Sequence, residues 1–422
     1  MIEHQHISNY IAACQDFIRR RGSATHSEST DGEFDFLARS LFRLQFDGLP
    51  LYRRFCEARG ATQDSVSSWQ QIPALPVAAF KEFEVTTINP RDRVAVFHSS
   101  GTTAQSPGRH FHSAESLVLY EASLLSPFKT AVLGDFNELA ATERVGSPDK
   151  LEFLILTPPP AQVPHSSLVH MFETVRREFG ANDSMFVGRL DPSGAWEIDN
   201  DAALFALRRS MCANHPLLIL GTAFSFVHLM DRLAVSNIRY KLVEGSRVME
   251  TGGYKGRSRA LPRPELHELI ARHLGIPASN IVCEYGMSEL SSQAYDLMFA
   301  PVVEARTALT AHSNPPRQSH TDNVVPVPRS PVSDNDAGVR RVFRFPPWAR
   351  ARVISPENSL PVADGEMGII QVFDLANARS VMAIQTEDLA IKRGDGFELI
   401  GRTALAEPRG CSLMAAELFR SA

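Results

Sequence analysis

The chain reads as an α/β protein with a largely parallel sheet and a small β-rich region near its end. Three features predict this. Short apolar runs that suit buried strands alternate with amphipathic helical stretches between Val94 and Glu284. Several runs end near Ser99, Gly221, Gly252 or Tyr285, as expected where the carboxyl ends of strands face a ligand crevice. Beyond a Pro- and Ser-rich stretch, the pattern changes to short strands separated by turns.

The 422 residues are 44% hydrophobic and 22% charged, with a net charge of −5. This is length enough for a large core and a second domain. The slight acidity and the absence of a basic run exclude nucleic acid as an expected partner. The five cysteines, Cys14, Cys56, Cys212, Cys283 and Cys411, lie far apart without a CxxC pair. That spacing argues against a disulfide framework or zinc site and for a reducing, cytoplasmic setting. The start, MIEHQHISNY, lacks the apolar core of a signal peptide, and no run is long enough to span a bilayer.

Taken in order, helical spacing covers Ser8–Arg21 and Phe34–Arg59, the second ending at Gly60. A rigid connector, Ile72-Pro73-Ala74-Leu75-Pro76, leads to Val77–Phe83, which contains Lys81. Val94–Phe97 reads as a buried strand opening into Ser99-Ser100-Gly101-Thr102-Thr103, followed by a looser stretch with Gly108, Arg109 and His110. Ser113 caps a helix from Ala114 to Leu125 that Pro127 closes. Further strands are expected at Glu152–Thr157, Pro216–Leu220, Arg247–Thr251 and Asn280–Glu284, with helices at Leu168–Phe179, Asn200–Cys212, Ala223–Leu233 and Pro264–Leu274. The α/β body then spans 1–303, a Pro/Ser-rich loop or insertion 304–339, a β-rich subdomain 340–404 and a tail 405–422. Short strands are expected at Arg341–Phe345, Arg350–Ile354, Gly368–Phe373 and Phe397–Ile400.

Four stretches carry chemistry. Around Gly101, backbone N–H groups and the hydroxyls of Ser99, Ser100, Thr102 and Thr103 can donate to phosphate oxygens, with Arg109 offsetting charge. In Tyr285-Gly286-Met287-Ser288-Glu289, the ring can pack on a purine and the carboxylate can hold Mg²⁺. A core aromatic and a helix N-terminal acid fit the same residues. Asp388, in Thr386-Glu387-Asp388, can accept both ribose hydroxyls or lie in a plain turn. Arg402, after Gly401, can reach a ribose or phosphate oxygen or stay on the surface.

The order SSGTT, YGMSE, TED, GR resembles the adenylate-forming superfamily of acyl- and aryl-CoA synthetases, luciferases and adenylation domains. Over nearly the whole chain, segments such as FHSSGTT, TPPPAQVPHSSL, TGGYKG, EYGMSE, DGEMGIIQVFD, TEDLA and EPRGCS are similar to the acyl-protein synthetases of LuxE type. That resemblance implies the large-domain fold of adenylate-forming enzymes, with stacked, mostly parallel sheets. It also implies activation of a fatty or other carboxylic acid with ATP and Mg²⁺. Ser99 to Thr103 wrap the β- and γ-phosphates, Tyr285 lies on adenine, and Glu289 holds Mg²⁺ with Thr103. Asp388 takes the ribose hydroxyls and Arg402 the ribose or α-phosphate. Gly252 and Gly253 leave room for adenine and the acyl group. Lys255 either neutralises the carboxylate or α-phosphate or is a solvated turn lysine. Cys411, in Arg409-Gly410-Cys411-Ser412, accepts the acyl group as a thioester for a partner acyl-reductase, synthase or carrier protein.

Three departures from the pattern stand out. Only a short tail follows Arg402, where superfamily members continue with a mobile domain of roughly a hundred residues; the acyl-protein synthetases share this truncation. Ala104 replaces the glycine usual after Thr-Thr, and Arg109 replaces a lysine. The Pro/Ser-rich insertion is also longer than the resemblance needs. Two competing readings stand beside the leading one: direct transfer of the adenylate to an amine, CoA or carrier, and a catalytically silent scaffold.

Overall fold

The computed structural model describes residues 2–22, 31–99, 107–134, 151–253, 258–299 and 340–402. Three helices open the chain: α1 (Ile2–Arg21), α2 (Asp31–Gly48) and α3 (Pro50–Glu57). Pro50 divides the helical stretch expected over 34–59, because proline suits a first turn and not an interior. The connector forms β1 (Leu75–Pro76) and a single turn, α4 (Ala79–Glu82).

β2 (Ala95–His98) pairs antiparallel with β3 (Arg109–His112) as a separate two-stranded hairpin. The strand expected to be buried is therefore mostly half-buried. Phe97 alone points inward, onto Tyr120 and His112, while Val94 is 59% exposed. Ser113 caps α5 (Ala114–Phe128), its hydroxyl accepting from Ser116 N. Pro127 lies within the last turn instead of ending it, and a π-type turn, Lys129–Leu133, follows.

The central segments alternate as expected. β4 (Glu152–Ile155) and α6 (Ser167–Phe179) come first. The short strands β5 (Met185–Phe186), β6 (Gly188–Leu190) and β7 (Trp196–Ile198) follow, then α7 (Asn200–Ala213). After them run β8 (Leu217–Thr222), α8 (Ala223–Val235), β9 (Arg247–Thr251), α9 (Arg263–Leu274), β10 (Ile281–Tyr285) and β11 (Ala294–Phe299). The β-rich part contains β12 (Arg340–Arg344), β13 (Ala349–Ile354), β14 (Met367–Asp374), β15 (Ala383–Arg393) and β16 (Gly396–Arg402). β15 places the Thr386-Glu387-Asp388 stretch within a strand, not in a turn.

One twelve-stranded sheet runs β13-β14-β15-β16-β12-β11-β10-β9-β8-β4-β5, with β1 added beside β15. The block β10-β9-β8-β4-β5 is parallel, and β12 to β16 pair antiparallel. Strand alternation divides the core around the parallel block. Leu154, Leu217, Ile219 and Val248 pack against α7, α8 and α9, whereas Phe153, Ile155, Leu218 and Leu220 pack against α5 and α6. A third apolar cluster joins α1 to α3 to the β-rich strands. The described residues of 1–297 and 342–402 belong to one compact unit, so the β-rich strands complete the main body instead of standing apart from it. The 298–341 unit contributes only 298–299 and 340–341 to the described residues, and the expected insertion 304–339 lies outside them. Among the described residues, no helix is long and apolar enough to cross a membrane.

Candidate active site

The site assembles where β10 ends. Tyr285, its last residue, is buried and donates from Oη to Asp388 Oδ2 at 2.8 Å. Asp388 Oδ1 accepts from Arg402 Nε at 3.2 Å, because β15 and β16 pair Asp388 directly with Arg402. Three of the four sequence motifs thus meet through side chains. Burial, reinforced by the Asp388 carboxylate, holds the Tyr285 phenol well above its ordinary range, so the phenol stays a donor. Its ring packs edge-on against Phe343, Phe345 and Phe397, as a core aromatic does. Arg402 is 68% exposed, and an ion pair this open adds little stability. Its remaining donors make no hydrogen bond among the described residues, which leaves them for a ligand.

Glu289 lies four residues beyond Tyr285 and is 3% exposed. Burial raises its carboxyl, while the charges of Arg402 and Lys81 and a bond from Ser99 pull the other way. Lys81 comes from α4, whose Phe80 packs beside Gly108. A Cβ at Gly108 would come within 2.8 Å of Glu289 Oε1 and 2.9 Å of Ser99 Oγ, so a larger residue there would displace the carboxylate. Ser99 Oγ also accepts from Gly108 N at 2.7 Å, and Ser99 N donates to Gly108 O. No ion pair engages Glu289 among the described residues, and its hard oxygen atoms fit a magnesium ion beside phosphates.

Two sets of bonds fix the Glu289 segment. On one side it is tied to the β2–β3 hairpin. Ser288 Oγ donates to His98 O, and His110, kept neutral because burial lowers it to about 4, gives its Nδ1 proton to Ser288 O. On the other side, Asp374 at the end of β14 accepts from Ser291 N, Ser292 N, Ser292 Oγ and Ala376 N, at 2.7–3.0 Å. Asn377 Nδ2 donates to Glu289 O at 2.8 Å, and its Oδ1 accepts from Ser291 Oγ. Gln45 Nε2 then holds Asn377 O from α2.

The remaining expected residues divide into two sets. Gly252 follows β9 with φ +61°, and a Cβ on Gly252 or Gly253 would meet nothing within 4 Å among the described residues. Gly286 and Met287 lie in the turn between Tyr285 and Ser288. Arg109 is engaged by a carboxylate: its Nη1 pairs with Glu84 at 3.1 Å. Cys283 is buried with its thiol pushed well up, in keeping with packing alone. Ser100, Gly101, Thr102, Thr103, Lys255 and Cys411 lie outside the described residues. Sequence reasoning missed Gly108, Asp374 and Asn377 as site residues, and it placed Lys81 only in a connector. The available signal was a glycine before the β3 residues and an Asp-x-x-Asn turn after an apolar strand.

Searched against family models, the chain matches none. It is 22% identical over 403 residues to the long-chain-fatty-acid–luciferin-component ligase of Aliivibrio fischeri, covering 92% of this chain and 88% of that one. Among solved structures it is similar to an open 2-hydroxyisobutyryl-CoA ligase in complex with 2-HIB-AMP and CoA, with TM-score 0.54 and 11% identity. That match spans 92% of this chain and 81% of the ligase. It is also similar to ATP-bound MatB from Rhodopseudomonas palustris, with TM-score 0.42 and 15% identity. There 76% of this chain matches, and it spans half the length of that protein. The chain has the fold of the adenylate-forming ligases, and its curated relative is a long-chain-fatty-acid–luciferin-component ligase.

Proposed function

We propose that this protein is an ATP-dependent acid–thiol ligase. The carboxylate of an organic acid attacks the α-phosphorus of ATP, the bond to the bridging oxygen breaks, and pyrophosphate leaves with an acyl adenylate remaining. A thiolate then attacks the acyl carbon, AMP leaves, and a thioester results. The thiol is Cys411 or that of a carrier, and the thioester serves a partner enzyme. The observation that carries this reading is the convergence of Tyr285, Asp388 and Arg402, with the charge of Arg402 reaching Glu289.

Each residue has a physical task. Asp388 offers carboxylate oxygens to ribose hydroxyls, with Tyr285 and Arg402 holding its orientation. Arg402 adds positive charge near the reacting phosphate, and Lys81 adds it beside Glu289. Ser99 to Thr103 supply the phosphate loop, and Lys255 a further cation. A magnesium ion on Glu289 and Thr103 would neutralise charge on the polyphosphate. The neutral His110 and the Asp374–Asn377 bonds hold the Glu289 segment through its backbone.

Acid-dependent release of pyrophosphate from ATP tests the first step. Cys411→Ser tests the second: the variant should retain pyrophosphate release and lose a hydroxylamine-sensitive acyl label in intact-mass measurements. A label that persists on the variant moves the acyl group to another acceptor.

A further inference from the structure

A second polar cluster lies at the same strand ends and takes no part in the nucleotide reading. β10 pairs Glu284 with Tyr295 of β11 and with Thr251 of β9. Residues paired across strands share a face, so Thr251, Glu284 and Tyr295 form a row, with Gln293 two positions before Tyr295. Tyr285 faces the opposite side, toward Asp388. None of the four row residues is more than 5% exposed. Met249, Val282 and Leu220 share their layer, and Tyr120 of α5 packs in the same cluster with its hydroxyl donating to Ser167 O.

Within that row Thr251 Oγ1 donates to Glu284 Oε2. Among the described residues, Gln293 Oε1 and the Tyr295 hydroxyl have no hydrogen-bond partner. A Cβ at Gly286 would collide with Glu284 Oε1 and lie 3.4 Å from Gln293 Cγ, so the glycine is what lets these groups gather. Each buried polar atom left unpaired costs about 1–3 kcal/mol. Two such atoms beside a buried carboxyl mark a place where something else completes the bonds. Gly252 and Gly253, whose Cβ positions meet no atom of the described residues within 4 Å, continue directly from Thr251.

We propose that Thr251, Glu284, Gln293 and Tyr295 form a subsite that reads a hydrogen-bond-donating substituent, hydroxyl or amino, on the carboxylic acid. The inference rests on the proposed function and names the acid's class. Gln293 Oε1 can only accept, and the Tyr295 hydroxyl can both give and accept, so the group they lack must bring hydrogens. Glu284 accepts from an ammonium when ionised and exchanges bonds with a hydroxyl when neutral.

The test is acid-dependent pyrophosphate release by the full-length protein. A straight-chain acid is compared with its hydroxylated and aminated isomers of equal carbon number. At least one substituted acid should exceed the plain acid by about tenfold or more in kcat/KM, because a site built for a polar group rejects the analogue lacking it. Gln293→Met and Tyr295→Phe should narrow that ratio, and Glu284→Gln should abolish a preference for the amino acid while sparing one for the hydroxy acid. A plain acid used as well as every substituted one overturns the subsite, leaves the ligase reading intact and assigns the cluster to ordered water. Release with no acid of either kind overturns both. The wild-type ratio decides the matter without any variant, so a variant that fails to fold does not rescue the proposal.

Discussion

Two buried polar clusters flank Glu289 and Tyr285, and they differ in completeness. Asp374 and Asn377 are themselves fully engaged: four donors converge on one carboxylate, and both ends of one side-chain amide are used. Around Glu284, two polar atoms have no partner among the described residues. A satisfied network in a low-dielectric interior fixes geometry, whereas an unsatisfied one stores a demand for a ligand or water. The first cluster therefore suits a positioning role behind the proposed metal carboxylate, and the second suits recognition.

The contrast can be broken by substitution, most sharply at Asp374. Asp374→Ala leaves four donors without an acceptor and should lower unfolding free energy by about 4 kcal/mol in chemical denaturation. A loss below about 1 kcal/mol would deny the clamp.

Next in size is a pH effect at Glu284. Burial, with help from the nearby Glu250 charge, raises the Glu284 carboxyl from 4.5 to about 7. The folded chain then keeps a proton that the unfolded chain releases, so this contribution is present below about pH 4.5 and is lost as pH rises through 7. The loss amounts to roughly 3 kcal/mol. Glu284→Gln should remove that slope in Tm against pH. His110 imposes an opposite slope on the acid side in both proteins, so it cancels in the comparison. Parallel wild-type and variant curves would refute the assignment.

Glu289→Ala should cut acid-dependent pyrophosphate release about a hundredfold if metal charge stabilisation dominates. The smallest effect belongs to Tyr295→Phe. It removes a hydroxyl that has no partner among the described residues, so stability should change by less than about 0.5 kcal/mol or rise. A loss above about 1.5 kcal/mol would show that the hydroxyl is bonded in the free protein.

The parallel half of the fold was legible because its strands and helices carry clean apolar patterns, as in PLLIL at β8 and EFLILT at β4. β15 was not, because its buried face bears Thr386 and Asp388, which are inside for their bonds to Ile370 O, Tyr285 and Arg402. Polar residues at core positions look like a turn until their partners are known. The residues forming the nucleotide half of the site could be read from motifs. The clamp could not, since Ser291 and Asn377 are 86 residues apart and nothing local in either segment announces the other. Arg109 shows the reverse case: a motif position whose side chain the fold turns to Glu84.

The central claim is that ATP is opened at its innermost phosphorus by an organic acid. Exchange of labelled pyrophosphate into ATP, with and without added carboxylic acids, measures that step in isolation. Acid-dependent exchange, with AMP as the nucleotide product once a thiol acceptor is supplied, is the predicted result. Formation of ADP, or no exchange with any acid, would contradict it.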